Sequence, residues 1–143
     1  MTFDRGLDSA RIALKVGLGG AAFLAGLDKY FNLLADWPSY VSPALTGVLP
    51  LSPTTLMYVV GPIEMVVGVL ILTRWTRLGS YVAAAWLVAI AVNLIATGRF
   101  FDVAVRDIEM AIAAYALARL TEARFAAARG SKAPLAAGIE VAA

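Results

Sequence analysis

Residues 55–97 read TLMYVVGPIEMVVGVLILTRWTRLGSYVAAAWLVAIAVNLIAT. Two apolar runs, 55–73 and 78–97, flank the basic residues Arg74 and Arg77, and between them they carry one charged side chain, Glu64. A helix crosses the hydrocarbon of a bilayer in about 20 mainly apolar residues. Both runs have that length. Both are also hydrophobic on all sides, where a water-facing amphipathic helix shows a single apolar stripe. The stretch therefore predicts two membrane spans joined by a short turn.

Two further stretches fit the same template on either side. One runs from 12 to 34, with Lys15 and the pair Asp28-Lys29 near its ends. The other runs from 102 to 120, with Arg106, Asp107 and Glu109 in its first turns and an alanine-rich remainder. The fold class expected is all-α: an integral membrane four-helix bundle, up-down-up-down, with short second and third connections making antiparallel neighbours. It is preceded by an N-terminal segment, 1–11, and followed by a helix end and flexible tail, 121–143, with Gly130 as a helix stop. Asp4 and Asp8 in the leading segment, and the lack of a small-residue cleavage site, argue against a secretory signal peptide.

The whole chain agrees. Its 143 residues are 61% hydrophobic and 15% charged, against roughly a quarter charged in an ordinary soluble domain. Mean hydropathy is +0.79. So few polar side chains cannot cover a water-exposed surface, which sets aside soluble enzymes and nucleic-acid readers. The chain has no histidine and no cysteine, so it cannot bind haem through His or an iron–sulfur cluster through Cys. The carboxylates near Lys and Arg read as ion-paired rather than metal-binding, and no metal site is expected. No Walker loop, G-x-S-x-G or H-E-x-x-H motif is present.

Lys and Arg set the expected orientation. Arg5, Arg11, Lys15, Arg74, Arg77, Arg119, Arg124, Arg129 and Lys132 fall on one side; Lys29, Arg99 and Arg106 fall on the other. The positive-inside rule then puts both termini in the cytoplasm. Trp75 at one boundary and Tyr30, Trp37 and Tyr40 at the other fit interfacial anchoring. The connection 35–54 holds Pro38, Pro43, Pro50 and Pro53, which forbid one continuous helix. It is also too apolar for a freely solvated loop. It reads either as a lid dipping into the outer interface or as an ordered loop packed on the bundle end.

Ionisable groups inside spans face protein or water rather than lipid. Lys29 lies on a stripe with Lys15, Gly19, Ala22 and Gly26, and Glu64 lies on one with Gly61 and Gly68. Asn93 shares a face with Trp86 and Ala89, and Asp107 with Ala111, Ala114 and Ala118. Small residues mark the faces where membrane helices approach closely. At a rise of about 1.5 Å per residue, all four polar groups fall in the outer half of the bilayer. A central cluster of Lys29, Glu64, Asn93, Asp107 and Arg106 follows, with Arg106 within reach of Asp102 or Glu109 as well.

That cluster admits three readings. It can be structural, with Lys29 paired to Glu64 or Asp107. It can be the polar end of a pocket for a quinone or similar lipophilic molecule, lined by Met65, Trp86, Met110 and Tyr115. It can serve transport, although no inverted repeat or broken helix supports this, and Gly61-Pro62 is only a candidate kink.

The end of span one (Gly26-Leu27-Asp28-Lys29-Tyr30-Phe31), the Glu64-x-x-x-Gly68 face and Arg106-Asp107 opening the last span resemble the DoxX family of small four-span bacterial membrane proteins. The resemblance covers about residues 11–120. It implies a four-helix membrane bundle that acts as an accessory subunit of a membrane redox system, working with a quinone or a partner enzyme. Lys29, Glu64, Arg106 and Asp107 are the residues to which any family role carries over. The lack of cysteine argues against direct handling of sulfur. The alternative is a non-catalytic interaction subunit whose Ala and Gly faces dock other membrane proteins or further copies of the chain.

Overall fold

A computed structural model describes residues 2–130, and these are all helix and connecting loop. The elements are α1 (Thr2–Asp28), a 3-10 turn (Trp37–Tyr40), α2 (Pro43–Val48), α3 (Pro53–Leu72), α4 (Thr76–Ala96) and α5 (Phe101–Gly130). Among the described residues, three stretches are long and apolar enough to cross a membrane: Arg5–Asp28, Pro53–Leu72 and Thr76–Ala96. α5 has the length but not the composition, because Asp102, Arg106, Asp107, Glu109 and Arg119 interrupt the stretch assigned to a fourth span.

Element boundaries depart from the hydropathy pattern at both ends. α1 begins at Thr2 and stops at Asp28, not at 12 and 34, so the segment 1–11 is not separate from the first helix among the described residues. The reason is physical. Hydropathy marks what lipid accepts, whereas a helix continues until its hydrogen bonds are broken. The ladder is broken after Asp28, and Asn32, with φ +52°, donates its N–H to the Asp28 carbonyl. α5 likewise runs beyond 120. The expected helix stop at Gly130 falls at the limit of the described residues, and the tail from 131 lies outside them.

The 35–54 connection is ordered. Three of its four prolines stand where a helical element begins: Pro38 in the 3-10 turn, Pro43 in α2 and Pro53 in α3. Pro43 and Pro53 occupy the first turns of α2 and α3, where a missing N–H costs nothing. Ser42 and Ser52 cap these helices by accepting the N–H of Leu45 and Thr55. Inside α3, Pro62 lacks the N–H that would bond the carbonyl of Tyr58. That carbonyl instead accepts from the Tyr30 hydroxyl at 3.1 Å, and the Tyr30 and Tyr58 rings stack. The helix runs unbroken through Gly61-Pro62.

Packing follows the small-residue stripes. α1 lies on α3, α3 on α4, α4 on α5, and α5 returns to α1. A Cβ added to Gly26 would sit 2.5 Å from the Gly61 carbonyl oxygen, and one added to Gly68 would sit 2.7 Å from the Gly19 carbonyl oxygen. The α1–α3 seam is therefore backbone against backbone. Ala104, Ala111, Ala114 and Ala118 bury the inner face of α5. At the opposite end from the proline-rich connection, Lys15 donates to the Thr73 carbonyl beyond α3, and Arg124 pairs with Asp8 between α5 and α1.

Candidate functional site

The polar residues picked out by their helical phase come together around one cavity of about 460 Å³. Lys29, the first residue beyond α1, and Glu64, on the Gly61/Gly68 face of α3, form a buried ion pair with Nζ and Oε2 2.5 Å apart. Lys29 is 3% exposed and Glu64 7%. The ammonium also lies 3.9 Å from the centre of the Trp37 ring, where the negative face of the indole attracts a cation. Trp86 directs its Nε1–H toward the other Glu64 oxygen at 3.5 Å. Of the two partners open to Lys29, Glu64 is the one it takes.

Trp37 is placed by Asp28. The Asp28 carboxylate accepts from the Trp37 Nε1–H at 2.8 Å and from the backbone N–H groups of Leu33 and Leu34. One buried carboxylate thus absorbs the donors released where the chain leaves α1 and fixes the indole over Lys29. Asn93 performs the matching task from α4. Its amide donates to the Tyr40 carbonyl at 2.7 Å and accepts from the Ser42 N–H at 3.0 Å, clasping the connection across the end of the cavity. Asn93 also lines the cavity, but its hydrogen bonds go to the loop and not to the ion pair.

Asp107 is different. It is 8% exposed, lines the cavity, and has no hydrogen bond or ion pair among the described residues. Lys29, Glu64 and Arg106 are within electrostatic range of it. Arg106 lines the same cavity from an exposed position, and no ion pair joins it to Asp102 or Glu109. The rest of the wall is apolar: Leu18, Leu56, Val60, Val67, Leu87 and Ile90 contribute to it.

Among the expected lining residues, Trp86 and Met110 face the cavity, while Met65 and Tyr115 do not. The Met65 backbone is pressed against Gly26 in the α1–α3 seam. Tyr115 is half exposed and packs edge-to-face on Tyr81. Phase explains both: each stands one position from an inward residue (Glu64 and Ala114), a turn of about 100°.

Trp37 and Tyr40, expected at the membrane interface, also line the cavity. Asp28, Ser42 and Trp37 are site-forming residues that sequence reasoning did not identify. A signal for Asp28 was present, because a carboxylate ending an apolar run beside a lysine needs donors of its own. No protein-family model, curated protein or solved structure matches the chain.

Proposed function

We propose that this protein is a DoxX-type four-helix membrane bundle, up-down-up-down with both termini cytoplasmic, and that its cavity binds a lipid-soluble molecule such as a quinone. In this role it serves as an accessory subunit of a redox system in a bacterial plasma membrane. The observation that carries the reading is the cavity itself. Its volume lies within the roughly 300–1,000 Å³ of small-molecule sites. Its walls are apolar, and its few polar groups converge at the end beneath the proline-rich connection. The fourth crossing rests on α5 turning Asp107 inward and keeping Val105, Ile108 and Ile112 exposed, with the exposed charges Asp102, Arg106 and Glu109 confined to its first turns, where a span meets the interface.

A second reading has its own support. The Lys29–Glu64 pair is satisfied without any ligand, as it would be in a subunit whose polar core only fixes helix register. One titration separates the two. The three tryptophans are Trp37, Trp75 and Trp86, and Trp75 is exposed away from the cavity. Trp75→Phe protein in nanodiscs, titrated with a decyl-substituted benzoquinone, should show saturable fluorescence quenching that Trp86→Phe reduces. Quenching that only tracks quinone partition into empty nanodiscs would support the structural subunit and overturn the binding reading.

A further inference from the structure

We infer that the cavity selects an uncharged amphiphile, rejects amphiphilic ions of either sign, and holds the polar end of its ligand at Asp107. The inference rests on the binding reading above and goes on to the ligand's chemistry. Four ionisable side chains face the space: Lys29 and Arg106 against Glu64 and Asp107. Their formal charges cancel. The Lys29 ammonium is already held by the Glu64 carboxylate, the Ala25 carbonyl and the face of Trp37, and an anion entering the space would meet both carboxylates, Glu64 and Asp107. A cation near Asp107 would meet both Lys29 and Arg106. In surroundings this apolar an unbalanced charge is costly, and either ion would bring one.

A neutral polar end meets no such penalty. Asp107 is buried, lines the cavity and has no hydrogen bond or ion pair among the described residues. Its oxygens are not sealed off without a partner but keep free surface that a ligand's polar end can take up. It accepts from a ligand hydroxyl or, when protonated, donates to a ligand carbonyl. Trp86 and Met110 also line the cavity and supply apolar surface for a ring or chain.

The test uses three twelve-carbon amphiphiles that differ only in their polar end: an alcohol, a trimethylammonium and a sulfonate. Each is titrated into Trp75→Phe protein in zwitterionic nanodiscs, with tryptophan fluorescence as the readout and empty nanodiscs as the partition control. The alcohol is expected to bind at least tenfold more tightly than either ion. Asp107→Asn, close in shape, removes one negative charge and should bring the sulfonate within threefold of the alcohol. Asp107→Leu should weaken the alcohol about tenfold. A trimethylammonium or sulfonate that binds the parent as well as the alcohol does, or an Asp107→Asn protein with unchanged selectivity, overturns the inference and leaves the binding reading standing. Saturable binding of none of the three removes both.

Discussion

Two buried carboxylates on the wall of one cavity, Glu64 and Asp107, are treated in opposite ways, and the difference defines the site. Glu64 is matched to Lys29 and approached by the Trp86 N–H, whereas Asp107 is left open to the cavity. Removing one member of a buried pair leaves the other charge uncompensated, which costs about 3–5 kcal/mol. Replacing both by apolar groups of similar volume is often neutral. Glu64→Gln and Lys29→Met should therefore each lower the unfolding midpoint in detergent sharply, and Lys29→Met combined with Glu64→Met should recover most of the loss. Equal losses in the single and double variants would show that packing around the pair, and not its charge, stabilises this end of the protein. Asp107→Asn breaks no bond among the described residues and should leave the midpoint within about 0.5 kcal/mol of the parent.

At the level of elements, the small-residue stripes carry the packing. The spacing of Gly19, Gly26, Gly61 and Gly68 was legible from the sequence because the 3.6-residue period fixes which residues share a face. The same period placed Lys29, Glu64, Asn93 and Asp107 around one cavity. Helix ends were not legible from hydropathy, since α1 extends toward Thr2 through a stretch that includes Asp8 and Arg11, residues that lipid would reject. The path of the 35–54 connection was not legible either. Its fixed points, Asp28 and Asn93, lie outside it in sequence; the position of Asp28 signals a need for donors, but nothing in the sequence says that Trp37 and the loop backbone supply them.

The glycines give this level its prediction. At Gly26 a methyl would meet the Gly61 carbonyl oxygen at 2.5 Å and the Met65 nitrogen at 2.9 Å, both backbone atoms that cannot rotate aside. Gly26→Ala should cost about 1–3 kcal/mol through forced separation of α1 and α3. Gly20 has open space around it, so Gly20→Ala should gain about 0.5–1 kcal/mol from helix propensity alone. Thermal unfolding of both variants in the same detergent is the comparison. Equal behaviour would mean that the two helices separate without penalty.

Over the whole molecule, the distribution of residues is inverted relative to a protein in water. Ala, Gly, Ser, Thr and paired charges occupy much of the interior, while Val66, Val69, Val88, Val92, Ile95 and Ile112 are exposed. In water that outer surface would drive aggregation; against acyl chains it is at rest. The open question at this scale is the path of α5, whose composition alone does not qualify it as a span. Topology answers it by parity. Thr54 stands at the start of α3 and Ala126 near the end of α5, both exposed. Three crossings put them on opposite sides of the membrane, and two put them on the same side. The chain has no cysteine, so Thr54→Cys and Ala126→Cys each give a single label site without background. In intact cells a membrane-impermeant maleimide should modify Thr54→Cys, and it should reach Ala126→Cys only after permeabilisation. Labelling of both from outside would mean that α5 does not cross. The reversed pattern would keep the crossing and invert the orientation, so the nine basic residues on the proposed cytoplasmic side would have failed to set it.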